Sequence, residues 1–589
     1  MANGREKVIL GINCSSGHDS SASLIVGDRL IAAIEEERLT RIKHDGGFPY
    51  ESIKFCLEYA GISNERVDCA IIGWTPHGNL LKRLGIIFHS SLQPRVIRAK
   101  INFLKNLYFG TLNDGKTVQA LLPDARLEYV EHHMAHAASA FFASTFDRAG
   151  ILSLDGRGEW STGLLGLGQG LKIKKISESF LPESLGMVYD AFTLYLGFGL
   201  FDEYKVMGLA SYGEPKYLDE MRKVFMFDPD NIFHVNTDYN QYHLFSGAEE
   251  GRNWTSLVEK TFGPPRKRGE EITQLHMDIA SSLQARLNEV GIEIVRHLFD
   301  ITGTRNLCLS GGVSLNGVTN YRIYRELSPE NIFIQPASND GGVSLGAALF
   351  AHHQIYGNEK RIEFSHAYWG SGYSEEEIEQ ELKNSGLTSY RLTNAPATVA
   401  RLLVDGAIIG WFQGRSEFGP RALGSRSILA DPRPAENKDI VNARIKFREE
   451  FRPFAPSVLE EHVSEWFELD IASPYMLLIP KVRKEKRGII QAVTHVDGTA
   501  RPQTVSGSTN PKYYAMIESF YKLTGCPMVL NTSFNVKGEP IVNSPTDAMR
   551  CFFTTGLDYL VMGDFIISKK LNYDEIAALD IAAEKAPAG

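Results

Sequence analysis

The sequence predicts an α/β protein in two parts, a larger N-terminal domain made of two similar halves and a smaller C-terminal domain. Three observations carry this. The 589 residues exceed what one hydrophobic core serves, so two or three domains are required. Strand-like runs alternate with helical ones, separated by glycine turns. One arrangement, a strand, a polar glycine-bearing turn and another strand, occurs from Lys7 and again from Gly150.

Composition narrows the function classes. Hydrophobic residues at 43% and charged ones at 23% describe an ordinary globular chain. No apolar run reaches the ~18 residues of a membrane span. The start, Met1 to Lys7, leads into a strand with no apolar secretory segment, so a cytoplasmic protein is expected. Cys14, Cys56, Cys69, Cys308, Cys526 and Cys551 form no Cys-x-x-Cys spacing and read as reduced thiols. A net charge of -9 speaks against nucleic acid as a partner, which needs a clustered basic excess. The basic runs Pro264 to Arg268 and Lys481 to Arg487 read as solvated loops.

Taken in order, Lys7 to Gly11 is β-rich, and Ala22 to Val26 with Arg29 to Ile34 forms a hairpin around Gly27-Asp28. The loop before that hairpin, Gly11 to Ser21, offers backbone N–H groups to phosphate oxygens. It also carries His18-Asp19. Such a His serves as general base near neutral pH, with Asp orienting it or holding a metal; a capped helix start is the competing reading. Glu36, Glu37, Arg38, Arg41, Lys43 and His44 end the hairpin and either face a cleft or charge an exposed turn. Cys69 to Trp74 is a strand, Val96 to Tyr108 a basic amphipathic segment, and Leu127 to Val130 a strand feeding the helix that starts at Glu131.

That helix places His132 and His136 four residues apart, on one face. Two imidazoles on one face are half of a divalent metal site, and Asp155 and Asp340 are the candidates to complete it. This is not the zinc-protease helix, because His133 stands where His-Glu-x-x-His has its Glu. Two histidines sharing a face with no ligand role is the alternative.

Gly150 to Leu154, Asp155-Gly-Arg-Gly-Glu159 and Ser161 to Gly168 repeat the opening arrangement. Glu183 to Gly213, with Tyr189, Gly197, Glu203 and Lys205, reads as a loop lining a cleft. Ile272 to Leu298 is a helix by its three- and four-residue apolar steps. Asn306 to Leu309 runs into Ser310 to Asn316, and Ile332 to Gln335 into Ser338 to Ala347; each strand, glycine turn and helix start presents N–H groups to an anion or ribose. Four such turns suggest a nucleotide cleft between duplicated halves, as in the actin and hexokinase superfamily. Its nucleotide-binding candidates are Gly156, Gly158, Lys205, Gly311, Gly312, Asn316, Asp340 and Gly341.

Gly357 to Gly372 breaks the pattern, so the domains are expected at 1–356 and 373–589 with 357–372 as linker. Glu375 to Leu382 and Ala397 to Leu403 are helical, and Ala407 to Phe412 is a strand. Arginines among glycines follow: Arg415, Arg421 and Arg426, then Lys446, Arg452 and Arg501, with Asn531, Thr532, Ser533 and Asn535 as uncharged partners or a simple turn. Guanidinium groups fork onto phosphate or carboxylate, so at least two of Arg415, Arg421 and Arg426 are expected in an oxyanion cage. Ion pairs with Glu417, Glu449 and Asp431 compete with that reading. The tail from Asp574 reads as a frayed helix.

Gly17-His18-Asp19, Glu35-Glu-Glu-Arg38 with Lys43-His44, the His132/His136 pair, Asp155 to Glu159, Lys205-Val-Met-Gly-Leu and Arg421 to Arg433 together resemble the NodU/CmcH-type O-carbamoyltransferases, from about Val8 to Asp564 in the expected order. The resemblance implies a duplicated actin/hexokinase-like N-terminal domain related to the tRNA threonylcarbamoyladenosine synthases, and a YrdC-like α/β C-terminal domain. It implies ATP and carbamoyl phosphate as substrates, a carbamoyl adenylate as intermediate, and a hydroxyl acceptor of the sugar or natural-product kind. His132, His136 and Asp340 would hold iron, or Mg or Mn, beside Asp155 and against the nucleotide phosphate. His18, Lys43 and Arg501 would face the reaction; oligomeric state is left open, a homodimer being one option. The anion cage of Arg415, Arg421, Arg426, Lys446, Arg452, Arg501, Asn531 and Ser533 would then take carbamoyl phosphate. Rival readings are a tRNA-modifying transferase and an actin-like ATPase or sugar kinase. The acceptor is not legible.

Overall fold

The computed structural model describes residues 5–14, 17–76, 94–244 and 252–584. Ser15 and Ser16 of the first loop, and residues 245–251 of the irregular stretch 228–255, lie outside them. The chain forms two units, Met1–Glu37 with His44–Phe364, and Arg38–Lys43 with Ser365–Gly589. No helix among the described residues is long and apolar enough to cross a membrane.

Unit 1 is a duplication. Its first sheet contains β1 (Val8–Asn13), β2 (Ser21–Val26), β3 (Arg29–Glu35), β4 (Cys69–Ile72) and β5 (Arg126–Tyr129), in the order β3-β2-β1-β4-β5. Its second contains β6 (Arg148–Leu154), β7 (Ser161–Gln169), β8 (Lys172–Phe180), β11 (Asn306–Ser310) and β12 (Asn331–Ile334), in the order β8-β7-β6-β11-β12. Between β8 and β11 in sequence, β9 (Phe225–Asp228) and β10 (Ile232–Val235) make a separate hairpin. In both sheets the first three strands are antiparallel and the last two join parallel to the first, so the order and the senses coincide. The central strands are apolar and fully buried, as sheets covered on both faces require.

The helices place the site. His132–Phe141 is buried on every side, which its Ala-rich sequence permits. It packs against the helix Val343–Phe350, and a Cβ at Gly346 would stand 1.8 Å from the carbonyl oxygen of Ala135, so only glycine allows that approach. The predicted helix Ile272 to Leu298 is Gln274–Thr302. Glu183 to Gly213 is not a loop, since it contains the helices Leu185–Tyr195 and Glu203–Leu209. Nor is Pro264 to Arg268 wholly solvated: Arg266 is buried and donates to the carbonyls of Leu196, Gly197 and Glu270. All six cysteines are buried free thiols.

Unit 2 has one mixed eight-stranded sheet of β13 (Tyr390–Arg391), β14 (Ile409–Phe412), β15 (Arg426–Ala430), β16 (Ala455–Leu459), β17 (Gln503–Val505), β18 (Met528–Ser533), β19 (Tyr559–Met562) and β20 (Phe565–Ser568), in the order β13-β20-β19-β14-β15-β18-β16-β17. The segment Arg38–Lys43 belongs to this unit: Arg38 donates to the Gly419 carbonyl at 2.7 Å and Arg41 to those of Ile541 and Pro540 at 2.6 and 2.9 Å. The tail is not frayed. Its helix Tyr573–Glu584 docks through buried Asp580, which accepts hydrogen bonds from Thr393 and Thr398.

Candidate functional site

In unit 1 the end of β6, the turn that follows β12 and one helix converge. Asp155 follows β6, Asp340 opens the turn before Val343–Phe350, and His132 and His136 lie on the first turns of their helix. One donor atom from each of these four lies within 4.8 Å of all the others. His132 Nε2 and His136 Nε2 are 3.0 Å apart. His136 Nε2 is 3.0 Å from Asp155 Oδ2, and His132 Nε2 is 3.4 Å from Asp340 Oδ1.

Glu159, whose role the sequence did not disclose, fixes this geometry. Its carboxylate accepts the His132 backbone N–H at 3.1 Å and that of Thr75 at 2.7 Å, so an anion sits on the N-terminus of the histidine helix. The four-residue spacing from Asp155 thus sends one carboxylate to the imidazoles and one to their helix. Gly158 is needed between them, because a Cβ there would meet the His132 ring at 2.9 Å. His133 bonds Ser153 of β6 through Nδ1 at 2.8 Å and anchors the helix from its other side.

The electrostatics identify what the cluster wants. Burial alone would lower the His132 imidazole, but the charge of Asp340 and contacts with Asp155 hold it at about 10. Burial and Asp340 would raise the Asp155 carboxyl, yet the two imidazoles keep it at about 2. His133, without a carboxylate of its own, is driven well below the usual histidine range by burial and by His132 and His136. The cluster therefore demands positive charge. Two imidazole nitrogens 3.0 Å apart are also spaced as neighbouring ligands of one ion with metal–nitrogen bonds of about 2.1 Å. Asp155 Oδ2 faces the same two imidazole nitrogens, His136 Nε2 at 3.0 Å and His132 Nε2 at 3.7 Å. The residues present fit a divalent metal.

His18 joins the cluster, with Nε2 3.8 Å from Asp340 Oδ2 and Nδ1 3.4 Å from Asp19 Oδ2. Burial would lower it, but Asp340 and Asp19 hold it at about 9. Gly312 abuts Asp155, where a Cβ would stand 3.1 Å from Oδ1, and Gly341 shares the turn of Asp340. Gly311, with φ 84°, backs onto Leu154. Asn316 and Lys205 have other employment. Asn316 caps the helix Gly317–Leu327 and bonds Gln284, and Lys205 pairs with Asp202 at 2.9 Å.

Unit 2 gathers the opposite charge. Lys446 is buried and donates to Ser533 and Asn535 side chains at 3.2 and 2.7 Å. Burial, with Arg448, Arg452 and Lys43 adding repulsion, pushes its amine well below the ordinary range. Burial and then Arg421, Arg448 and Arg452 do the same to Arg501. A guanidinium does not give up its proton, so an anion is what relieves this. Arg448 stands between Lys446 and Arg452 in sequence and is not among the predicted contacts.

Three predicted anion contacts have protein partners of their own. Arg426 is fully buried and gives both terminal nitrogens to the carbonyls of Gln413, Gly414, Ser425 and Ser371, over the face of Phe412. Arg415 bonds the Gly370 and Trp369 carbonyls, and Asn531 donates to Ala422, Ser457 and Gln503. Of the competing ion pairs, Glu449 meets Arg452 at 3.7 Å and Asp431 pairs with Arg433. Glu417 accepts the backbone N–H groups of Leu423, Ser425 and Arg426 instead, pinning the loop that carries Arg421.

Comparison with known proteins agrees with this picture. The family model described as Carbamoyltransferase N-terminus matches residues 8–349, and that described as Carbamoyltransferase C-terminus matches 400–569. An uncharacterized protein of Synechocystis is 42% identical over 95% of this chain and 96% of its own. Nodulation protein NolNO of Sinorhizobium fredii is 42% identical over 94% and 79% respectively. The 3'-hydroxymethylcephem-O-carbamoyltransferase of Streptomyces clavuligerus is 33% identical over 48% of this chain and 52% of its own. Both matched family domains, in order and covering most of the residues just described, make this chain an enzyme of the carbamoyltransferase family.

Proposed function

We propose that the protein is an ATP-dependent O-carbamoyltransferase that takes carbamoyl phosphate as donor and a sugar or natural-product hydroxyl as acceptor. The observation that carries this reading is the cation cluster of unit 2, where Lys446 and Arg501 are stressed by burial and by Arg421, Arg448 and Arg452. A small dianion such as carbamoyl phosphate is the ligand that relieves it. Water releases phosphate from carbamoyl phosphate, leaving carbamate. A carbamate oxygen attacks the α-phosphorus of ATP, pyrophosphate leaves, and carbamoyl adenylate forms. The acceptor hydroxyl then attacks the carbamoyl carbon, its proton passes to His18, and AMP departs.

In unit 1 the turns at Gly311, Gly312 and Gly341 would offer backbone N–H groups to nucleotide oxygens, whereas those of Gly156 and Gly158 already donate to Asp155 Oδ1 and the Ser161 carbonyl. His132, His136, Asp155 and Asp340 would hold the metal. When bound, it supplies charge neutralisation at the nucleotide phosphate and at the carboxylates that otherwise keep His18 protonated. Lys43 and Arg501 supply positive charge within unit 2.

The test is incubation with ATP, carbamoyl phosphate and a panel of methyl glycosides and a 3'-hydroxymethylcephem, followed by mass spectrometry. A carbamoyl increment on an acceptor with release of AMP and pyrophosphate is expected. Release of ADP without the increment would favour a kinase or ATPase instead.

A further inference from the structure

We propose that His44 is a positioning residue for the transfer step, holding Asp19 where Asp19 in turn fixes His18. This rests on the reading of His18 as proton acceptor. His44 Nδ1 lies 2.8 Å from Asp19 Oδ1. Asp19 Oδ2 accepts the Asn339 side-chain amide at 2.9 Å and faces His18 Nδ1 at 3.4 Å. The Asp19 carboxylate, 7% exposed, is therefore the point shared by three side chains, one of them the residue in reach of Asp340.

His44 is itself fixed. Its backbone N–H donates to Glu37 Oε2 at 2.9 Å, and its ring stacks on Phe201 with centroids 4.5 Å apart. Phe201 also meets the His18 ring at 4.9 Å, so one aromatic side chain braces both imidazoles.

The backbone gives an independent observation. Asp19, His44 and Phe201 have φ of 52°, 54° and 64°, in the left-handed region that residues other than glycine seldom adopt. Such conformations persist where the surroundings over-determine them, and they cluster at functional sites. Three meet here around one carboxylate. Asp19, Glu37 and His44 also present donor atoms within 4.8 Å of one another. Both Asp19 oxygens already serve His44, Asn339 and His18, which is the bonding of a bracket rather than of a second ion site.

Substitution separates positioning from folding. His44→Gly tolerates the backbone and removes the ring; His44→Asn keeps an N–H donor at the position of Nδ1 and also accepts a left-handed φ. His44→Gly is expected to lower kcat for carbamoyl transfer at least tenfold, with KM for ATP and carbamoyl phosphate changed less than twofold. His44→Asn should recover most of kcat, whereas its isostere His44→Asp should not. In an Asp19→Asn background His44→Gly should cost less than twofold more, because its target is gone. A twofold effect or less in the wild-type background, or the same loss in both backgrounds, would overturn the proposal.

Crystal structures of wild type and His44→Gly give a readout independent of any acceptor. The Asp19 carboxylate is expected to turn away from His18, and an unchanged His18–Asp19 pair would overturn the proposal. His18→Asn is assayed alongside. If it transfers normally, the reading of His18 falls; if it is slow while the His44 variants are normal, only the positioning role falls.

Discussion

Each unit buries a cluster of charge, and the two are opposite in sign. In unit 1, Asp155 and Asp340 face His132 and His136, and the carboxylates pull the His132 imidazole up to about 10. In unit 2, Arg421, Arg448, Arg452, Arg501 and Lys446 crowd one another, and Lys446 and Arg501 are pushed down. A buried charge without its partner is costly, so neither cluster is explained by stability alone. On the proposed function each takes a ligand of the other sign, a cation in one unit and an oxyanion in the other. A protein needing only structural ion pairs would place Asp and Arg together, as it does at Arg433 and Asp431.

The largest effect that tests this contrast is loss of the cation site. Replacing both His132 and His136 with Ala is expected to abolish bound divalent metal and carbamoyl transfer together. Elemental analysis of the purified protein decides: metal content equal to wild type would remove these residues from the ligand set. Because all ten residues of their helix are buried, the Ala pair also leaves a cavity, so His136→Asn checks that loss of metal does not merely follow loss of fold.

Within unit 2 the contrast becomes one between two arginines five residues apart. Arg426→Met strands the Gln413 and Gly414 carbonyls, while those of Ser371 and Ser425 keep the Ser416 and Gln413 N–H groups; at ~1–2 kcal/mol for each stranded group it should destabilise the unit by about 2–4 kcal/mol, read by urea unfolding. Arg421→Ala should leave unfolding nearly unchanged and weaken carbamoyl phosphate binding by about a hundredfold, close to 3 kcal/mol, with ATP binding kept. Calorimetry with each ligand separates these outcomes. Equal loss of both ligands in Arg421→Ala would break the assignment of the oxyanion to unit 2.

That pair also marks how far the sequence could be read. The duplication was legible because strand, turn and strand recur with the same residue types, and the two sheets have the same strand order. His132, His136, Asp155 and Asp340 were legible because helical spacing and strand-end turns put side chains in known directions. Arg415, Arg421 and Arg426 looked alike, since nothing in local sequence says which guanidinium will be closed off by carbonyls from Ser371 and Gln413. Glu159 was missed for the complementary reason: its partner, the His132 N–H, is distant in sequence. Asp580 likewise hid in an Ala-rich tail, because its partners are Thr393 and Thr398.

The smallest effect sharpens the comparison inside unit 1. Asp155, which faces two imidazoles, is held at about 2, while Asp190 and Glu203, which face each other, are raised by burial to about 6 and about 7. A carboxyl raised above its unfolded value binds extra protons in the folded state. Its stabilisation is complete below about pH 4.5 and is lost as pH rises through 7. Glu203→Gln should therefore match wild type near pH 5 and exceed its stability at pH 8 by roughly 1–2 kcal/mol, discounted because the side chain is only part-buried. Hydrogen exchange over 185–209, compared at the two pH values, localises the effect to the helices that carry the pair. If the variant keeps the wild-type pH slope, the proton is not shared between Asp190 and Glu203, and the rule that partner identity sets carboxylate charge in this unit fails.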